Sequence, residues 1–225
     1  MTEETLIVIP FDPIPDELLD GEVVVEAGAY EGAWTLQLCQ HRPQCNVYAF
    51  EPATRAYKVA LEKLKDYPNV ILRNVALGVE GTAVLWDIDR DGANRGWSEL
   101  EPHESITVVD TAKTLEPLGE IGVMHLNAEG DEVVILEQLI EAGLIGRVKI
   151  LLVQWHPYDH MKPRIAKIIE RLEETHEHER RVAWNCWTRR EPPQSCDCAE
   201  NMARPKPGDC TEAAGISREG ASVPG

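Results

Sequence analysis

Two glycines four positions apart, Gly28 and Gly32, follow the apolar run Val23–Glu26 in VVVEAGAYEG, and a carboxylate, Glu51, ends a second such run in YAFEP. These residue types at these spacings suit a ligand that carries hydroxyls and an anionic group. Gly28 permits a tight turn with close backbone approach, and Gly32 permits a tight helix start. Free amides at that helix terminus favour a negative group. Glu51 stands 25 residues beyond Glu26, where a carboxylate can accept hydrogen bonds from both hydroxyls of a ribose. The same residues also fit an ordinary strand–turn–helix in which Glu51 is a solvated acid favoured by the dipole of the next helix. The order, loop first and acid second, favours the ligand reading. Neither G-x-G-x-x-G nor a Walker loop is present, because the spacing is Gly28-x-x-x-Gly32 and no Gly-Lys-Ser/Thr follows.

The elements that must position these residues follow from the apolar pattern. Val23–Glu26, Asn46–Phe50, Val70–Asn74, Ser105–Val109, Ile121–Asn127, Val148–Trp155 and Arg181–Trp187 read as strands, and Gly81–Asp89 as an antiparallel excursion. Between them lie helical stretches over Gly32–His41, Thr111–Leu118, Asp131–Gly143 and Pro163–His176. Another carries Ala56, Val59, Ala60 and Leu64 at i, i+3, i+4 spacing. Strands alternating with helices imply a three-layer α/β/α arrangement around a mostly parallel sheet. Such sheets hold ligands at the carboxyl ends of their strands, where the strand order reverses, and both Ala27–Gly32 and Glu51 fall at such ends. Residues 1–21 read as an N-terminal extension and 22–190 as the domain. Residues 191–225, nearly free of apolar side chains and punctuated by Pro and Gly, read as a flexible tail without structure of its own.

Composition narrows the partners. The net charge of -17, from 22 basic and 39 acidic residues, opposes a polyanion, so nucleic acid is not expected. No apolar run reaches the roughly 20 residues that span a bilayer. The start, MTEETLIVIPFDP, carries acids where a secretory leader wants bases, which reads as cytoplasmic. Six cysteines in such a chain read as free thiols.

The run VVVEAGAYEG, the YAFEP element, the NVALG segment and the stretch HLNAEGDE, in this order over Glu22–Tyr158, resemble S-adenosylmethionine-dependent methyltransferases of the FkbM type. The resemblance implies a Rossmann-like methyltransferase fold with a seven-stranded, mostly parallel sheet and a reversed last hairpin. It implies S-adenosylmethionine as cofactor and methylation of a hydroxyl on a sugar or other small molecule. Glu26, Gly28 and Gly32 match the family's loop on the methionine side, with Tyr30 standing where the family carries an asparagine. Glu51 matches the ribose-binding acid, and Asn74, Val75 and Ala76 fall where the third strand approaches the adenine. The family's Lys-x-Asp-x-Glu-Gly is replaced by His125-Leu126-Asn127-Ala128-Glu129-Gly130.

A hydroxyl acceptor wants a general base near it, and positioning supplies much of the rate. Asn127 and Glu129 follow one strand and His156 another, in VQWHPYDH. An imidazole there can take a proton or orient a hydroxyl; it equally fits a histidine satisfied by backbone near the surface. Glu129 is either that base or the N-terminal charge of the next helix. Asp110 is a weaker candidate, and Trp97, on the loop with Asn94 and Arg95, either stacks on an acceptor ring or anchors its loop. No metal site is expected. His176 and His178 do not face one another on a helix, Cys196-x-Cys198 with Cys210 lacks zinc spacing, and Asp87, Asp89 and Asp91 do not complete a calcium loop. Two rival readings remain beside the methyltransferase. One is an NAD-dependent oxidoreductase, and the other a non-catalytic nucleotide-binding or scaffolding protein, which the altered HLNAEG segment sustains.

Overall fold

The computed structural model describes residues 14–86, 103–156, 158–181 and 184–191. The loop with Asn94, Arg95 and Trp97, the run Asp87, Asp89 and Asp91, the tail cysteines and all but the first residue of 191–225 lie outside the described residues.

In chain order the described elements are β1 (Val23–Ala27), α1 (Ala33–His41), β2 (Asn46–Phe50), α2 (Thr54–Leu64), β3 (Val70–Arg73), β4 (Ala76–Gly78), β5 (Gly81–Trp86), β6 (His103–Asp110) and α3 (Thr111–Leu115). They continue with β7 (Ile121–Leu126), α4 (Glu132–Glu141), β8 (Val148–Val153), α5 (Lys162–Glu173), β9 (His176–Arg181) and β10 (Trp184–Arg189). The central strands form where apolar runs are unbroken. β7 is buried at every position and β8 at all but one, as a strand covered on both faces must be.

These strands make a seven-stranded sheet in the order β3-β2-β1-β7-β8-β10-β9. Neighbours pair in parallel from β3 through β8, and β10 runs antiparallel to both β8 and β9. Alternate side chains feed two cores. Val25, Met124 and Leu151 pack with α4 and α5, whereas Val24, Val123 and Leu152 pack with α1. Leu18, in the segment read as an extension, is buried in the second core, so the packed domain begins ahead of Glu22. The fold is therefore the three-layer α/β arrangement with a mostly parallel seven-stranded sheet.

The strand expected at Ser105–Val109 forms within β6, which pairs antiparallel with β5 in a separate three-stranded sheet, β4-β6-β5, whose apolar cluster reaches Ala53 and Ala56 of the α2 start. One expectation needs correction. The helix expected to run to His176 stops at Glu173, and His176–Arg181 is a strand. Among the described residues that strand, HEHERR, pairs with β10 alone. Charged side chains suit an edge position, where backbone pairing does not require an apolar face.

The sheet order reverses beside β1. The chain builds outward through β2 and β3, then returns to lay β7 against the other side of β1. The loops leaving β1 and β7 at their carboxyl ends therefore flank the switch point.

Candidate functional site

Among the described residues, two non-glycine residues have positive φ, Tyr30 at 48° and Glu129 at 51°. One lies in the loop after β1 and the other in the loop after β7. Each such conformation costs roughly 1–3 kcal/mol and persists only where its surroundings enforce it, commonly at functional sites.

The loop after β1 is pinned by its neighbours. The N–H groups of Gly28 and Ala29 both donate to the Phe50 carbonyl, at 2.9 and 3.1 Å, and the Asn127 N–H donates to the Ala27 carbonyl at 3.0 Å. Gly28 has φ of 86°, and a Cβ there would stand 1.8 Å from the Asn127 carbonyl oxygen. Gly28 is thus where the two loops touch through backbone. Gly32 caps α1 with φ of 74°, and a Cβ on it would meet Leu64 and Ala60 of α2 at 3.0 and 3.1 Å. Tyr30, between the two glycines, is 45% exposed.

Glu51 sits at the end of β2 beside that loop and is buried. The Tyr30 N–H donates to its Oε2 and the Ala53 N–H to its Oε1, each at 2.7 Å. Burial pushes the carboxyl up to about 7, the two amides pull against that, and the charge of Glu104 adds to the rise. Asn74 Nδ2 donates to the carbonyls of Glu51 and Pro52, both at 2.9 Å, which locks the strand end. Val75 packs at the margin of the core beneath α4 and α5. Ala76 is buried in the apolar cluster of the small sheet. Of these three, Asn74 is the one whose side chain reaches the Glu51 segment.

Glu26 lies in β1, one residue before its end. Strand alternation turns its side chain toward α1, where it is 1% exposed and accepts a hydrogen bond from the Thr35 hydroxyl. His125, its register partner on β7, places Nδ1 3.7 Å from the same carboxylate. The imidazole is stacked between Trp34 at 4.2 Å and Trp184 at 4.4 Å. Glu26 thus links β1 to α1 and β7. Sequence reasoning misses Thr35, His125 and Trp184; the one signal for them is a histidine interrupting the apolar run GVMHL.

On the other side of the switch point, Asn127 carries a buried Oδ1 with no hydrogen-bond partner among the described residues. His156 Nδ1 lies 2.9 Å from Glu132 Oε1, and its Nε2 lies 3.5 Å from Glu129 Oε2. Burial lowers the imidazole, but the Glu132 hydrogen bond and charge, with the Glu129 charge, outweigh it and hold His156 above the ordinary histidine value. Glu132 is fully buried, which its sequence position does not suggest, since an acid in the first turn of a helix is ordinarily a solvated dipole partner. Asp110 lies apart from this group and caps α3 by accepting from the Lys113 N–H at 2.8 Å.

The structure therefore makes two groups at the carboxyl ends: Tyr30, Glu51 and Asn74 on one side, and Asn127, Glu129, Glu132 and His156 on the other. Among the described residues no His, Cys, Asp and Glu group could hold a metal ion, and no helix is long and apolar enough to cross a membrane. Cys39, Cys45 and Cys186 are buried free thiols.

No protein-family model matches this chain, and no curated protein matches it. Among solved structures, an rRNA methylase from Streptococcus thermophilus shares 14% identity over 78% of this chain and 91% of its own, with a TM-score of 0.47. Fibrillarin from Aeropyrum pernix, solved with bound S-adenosyl-L-methionine, shares 12% over 79% and 70%, at 0.45. A precorrin-6y C5,15-methyltransferase from Geobacter metallireducens shares 14% over 77% and 82%, at 0.42.

Proposed function

We propose that this chain is an S-adenosylmethionine-dependent methyltransferase of the FkbM type that methylates an oxygen of a small molecule or sugar. The observation that carries the reading is Glu51, a buried carboxylate at the end of β2 whose oxygens are held by the Tyr30 and Ala53 amides beside the switch point. Two fixed oxygens with lone pairs to spare fit the paired hydroxyls of a ribose. The unpartnered Asn127 Oδ1, in the residue whose carbonyl abuts Gly28, fits the ammonium of the methionine end. When bound, the cofactor supplies an electrophilic methyl group.

The chain's own residues would do the rest. Glu51 orients the ribose, Asn74 keeps that strand end in place, and Glu26 holds the loop carrying Gly28 and Tyr30 from below. His156 takes the proton of the acceptor hydroxyl, with Glu129 beside its Nε2. Asn127 and Glu129 shape the acceptor side.

Isothermal titration with S-adenosylhomocysteine, run beside NAD on the same protein, tests this. Micromolar binding of S-adenosylhomocysteine and none of NAD is expected, and Glu51→Ala weakens it about 10-fold or more, the worth of hydrogen bonds to a charged acceptor. Binding of NAD alone would establish the oxidoreductase. Labelled-methyl incorporation across hydroxylated small molecules, glycans and RNA then identifies the acceptor, and methylation of RNA alone would overturn the small-molecule part.

A further inference from the structure

We propose that Glu132 is a positioning residue for the acceptor side: its carboxylate binds His156 Nδ1 and so leaves Nε2 as the proton-accepting atom. The inference rests on the methyltransferase reading for the identity of the proton donor, an acceptor hydroxyl. The geometry of the pair stands independently of it.

Three donors converge on the two oxygens of Glu132. The Ala128 N–H donates to Oε1 at 2.7 Å, the Gly130 N–H to Oε2 at 3.0 Å, and His156 Nδ1 lies 2.9 Å from Oε1. An ionised carboxylate only accepts, so the hydrogen of that third contact belongs to Nδ1, and in the neutral ring the lone pair is on Nε2. The two sides of the imidazole differ in access. Glu132 is sealed at 0% side-chain exposure, whereas Glu129, beside Nε2, is 29% exposed. One side anchors the ring and the other can exchange a proton.

The same carboxylate also holds the loop. Ala128 and Gly130 flank Glu129, whose φ of 51° needs support from its surroundings. Glu132 therefore sets the ring and the acid beside it through one buried group. The charged groups that act on the ring are Glu132 and Glu129, and the nearby Tyr158 hydroxyl is raised by burial and by the charges of Glu129, Glu132 and Asp131. In the reaction the acceptor's O–H bond would break as its oxygen took up the methyl group, and the proton would pass to Nε2 of His156. The bound cofactor would supply that methyl group from a sulfonium, and the electron pair of the S–C bond would leave with the thioether product. The imidazolium, held between Glu132 and Glu129, then returns its proton to solvent through the open side.

Long-range proton–nitrogen correlation spectra of the full chain with labelled histidines, recorded across pH 5 to 9, test this. His156→Asn assigns the resonance. In the wild type, neutral His156 is expected to be protonated at Nδ1, and its titration midpoint to lie above the usual histidine range. Glu132→Gln is expected to lower the midpoint by about one pH unit and to erase the tautomer preference. A wild-type ring protonated at Nε2 overturns the proposal without any variant, which covers the case in which Glu132→Gln does not fold. A folded Glu132→Gln with tautomer and midpoint unchanged overturns it as well. S-adenosylhomocysteine titration on the same samples separates the two claims. Binding with the wrong tautomer overturns the positioning role alone, and the expected tautomer without binding overturns the methyltransferase reading alone.

Discussion

The two ends of the central strands treat charge in opposite ways. At the amino ends, a recess between β1, β7, β8 and β10 is lined by Glu22, Glu120, Lys149 and Arg189. There acid meets base: Lys149 lies 3.1 Å from Glu22 and Arg189 lies 2.6 Å from Glu120, with all four side chains partly in water. At the carboxyl ends, Glu26, Glu51 and Glu132 are all buried and are met by backbone amides, a hydroxyl and imidazoles. Exposed pairs of opposite charge are worth little and tolerate loss. A buried carboxylate held by amides has a fixed direction, and burial raises the proton affinity of Glu51 as well; these are properties that binding and proton transfer use.

The largest expected effect comes from glycine. Gly28→Val drives a Cβ into the Asn127 carbonyl and should cost roughly 3 kcal/mol or more by urea unfolding, from overpacking plus positive-φ strain. Gly21→Ala, at the amino end, has φ of 87° but open space around it, and should cost only about 1 kcal/mol. Equal costs would erase the distinction between the two ends.

Next is the pH dependence of Glu51→Gln. The carboxyl titrates at about 7 in the folded chain against 4.5 when unperturbed. A raised folded value means its contribution is fully present below the unfolded value and is lost as pH rises through the folded one. Relative to the variant, the wild type should lose on the order of 3 kcal/mol between pH 4 and pH 8.5. The change with pH is the readout, because the new amide adds a pH-independent offset. Parallel profiles would show that the buried carboxylate has an ordinary proton affinity. The smallest effect is at the amino end, where Lys149→Ala should cost under about 1 kcal/mol, and less in high salt. A cost as large as that of Gly28→Val would mean the amino end is built as tightly as the site.

Legibility follows the same division. β7 and β8 can be read because an unbroken apolar run between turn residues suits a strand covered on both faces. β9 cannot, because HEHERR carries no apolar period and is held through its pairing with β10. Gly28, Gly32 and Glu51 are visible through spacing, although the spacing does not reveal that Gly28 abuts Asn127. Glu26 shows a subtler limit. Its place at the end of β1 is legible, but which face of the sheet α1 covers is not, and that face brings the carboxylate to Thr35 and His125. Glu132 is hidden because its three partners come from its own loop and from His156, 24 residues on.

Backbone periodicity and turn chemistry act over a few residues, so the sequence alone determined the apolar central strands, the tight loop after β1 and the carboxylate ending β2. Burial and hydrogen-bond partnership are set by residues far apart in the chain. Only the folded sheet, by laying β7 against β1 and β8 against β7, decided that the Glu26 carboxylate meets Thr35 and His125, that Glu51 is buried against two backbone amides, and that Glu132 meets His156.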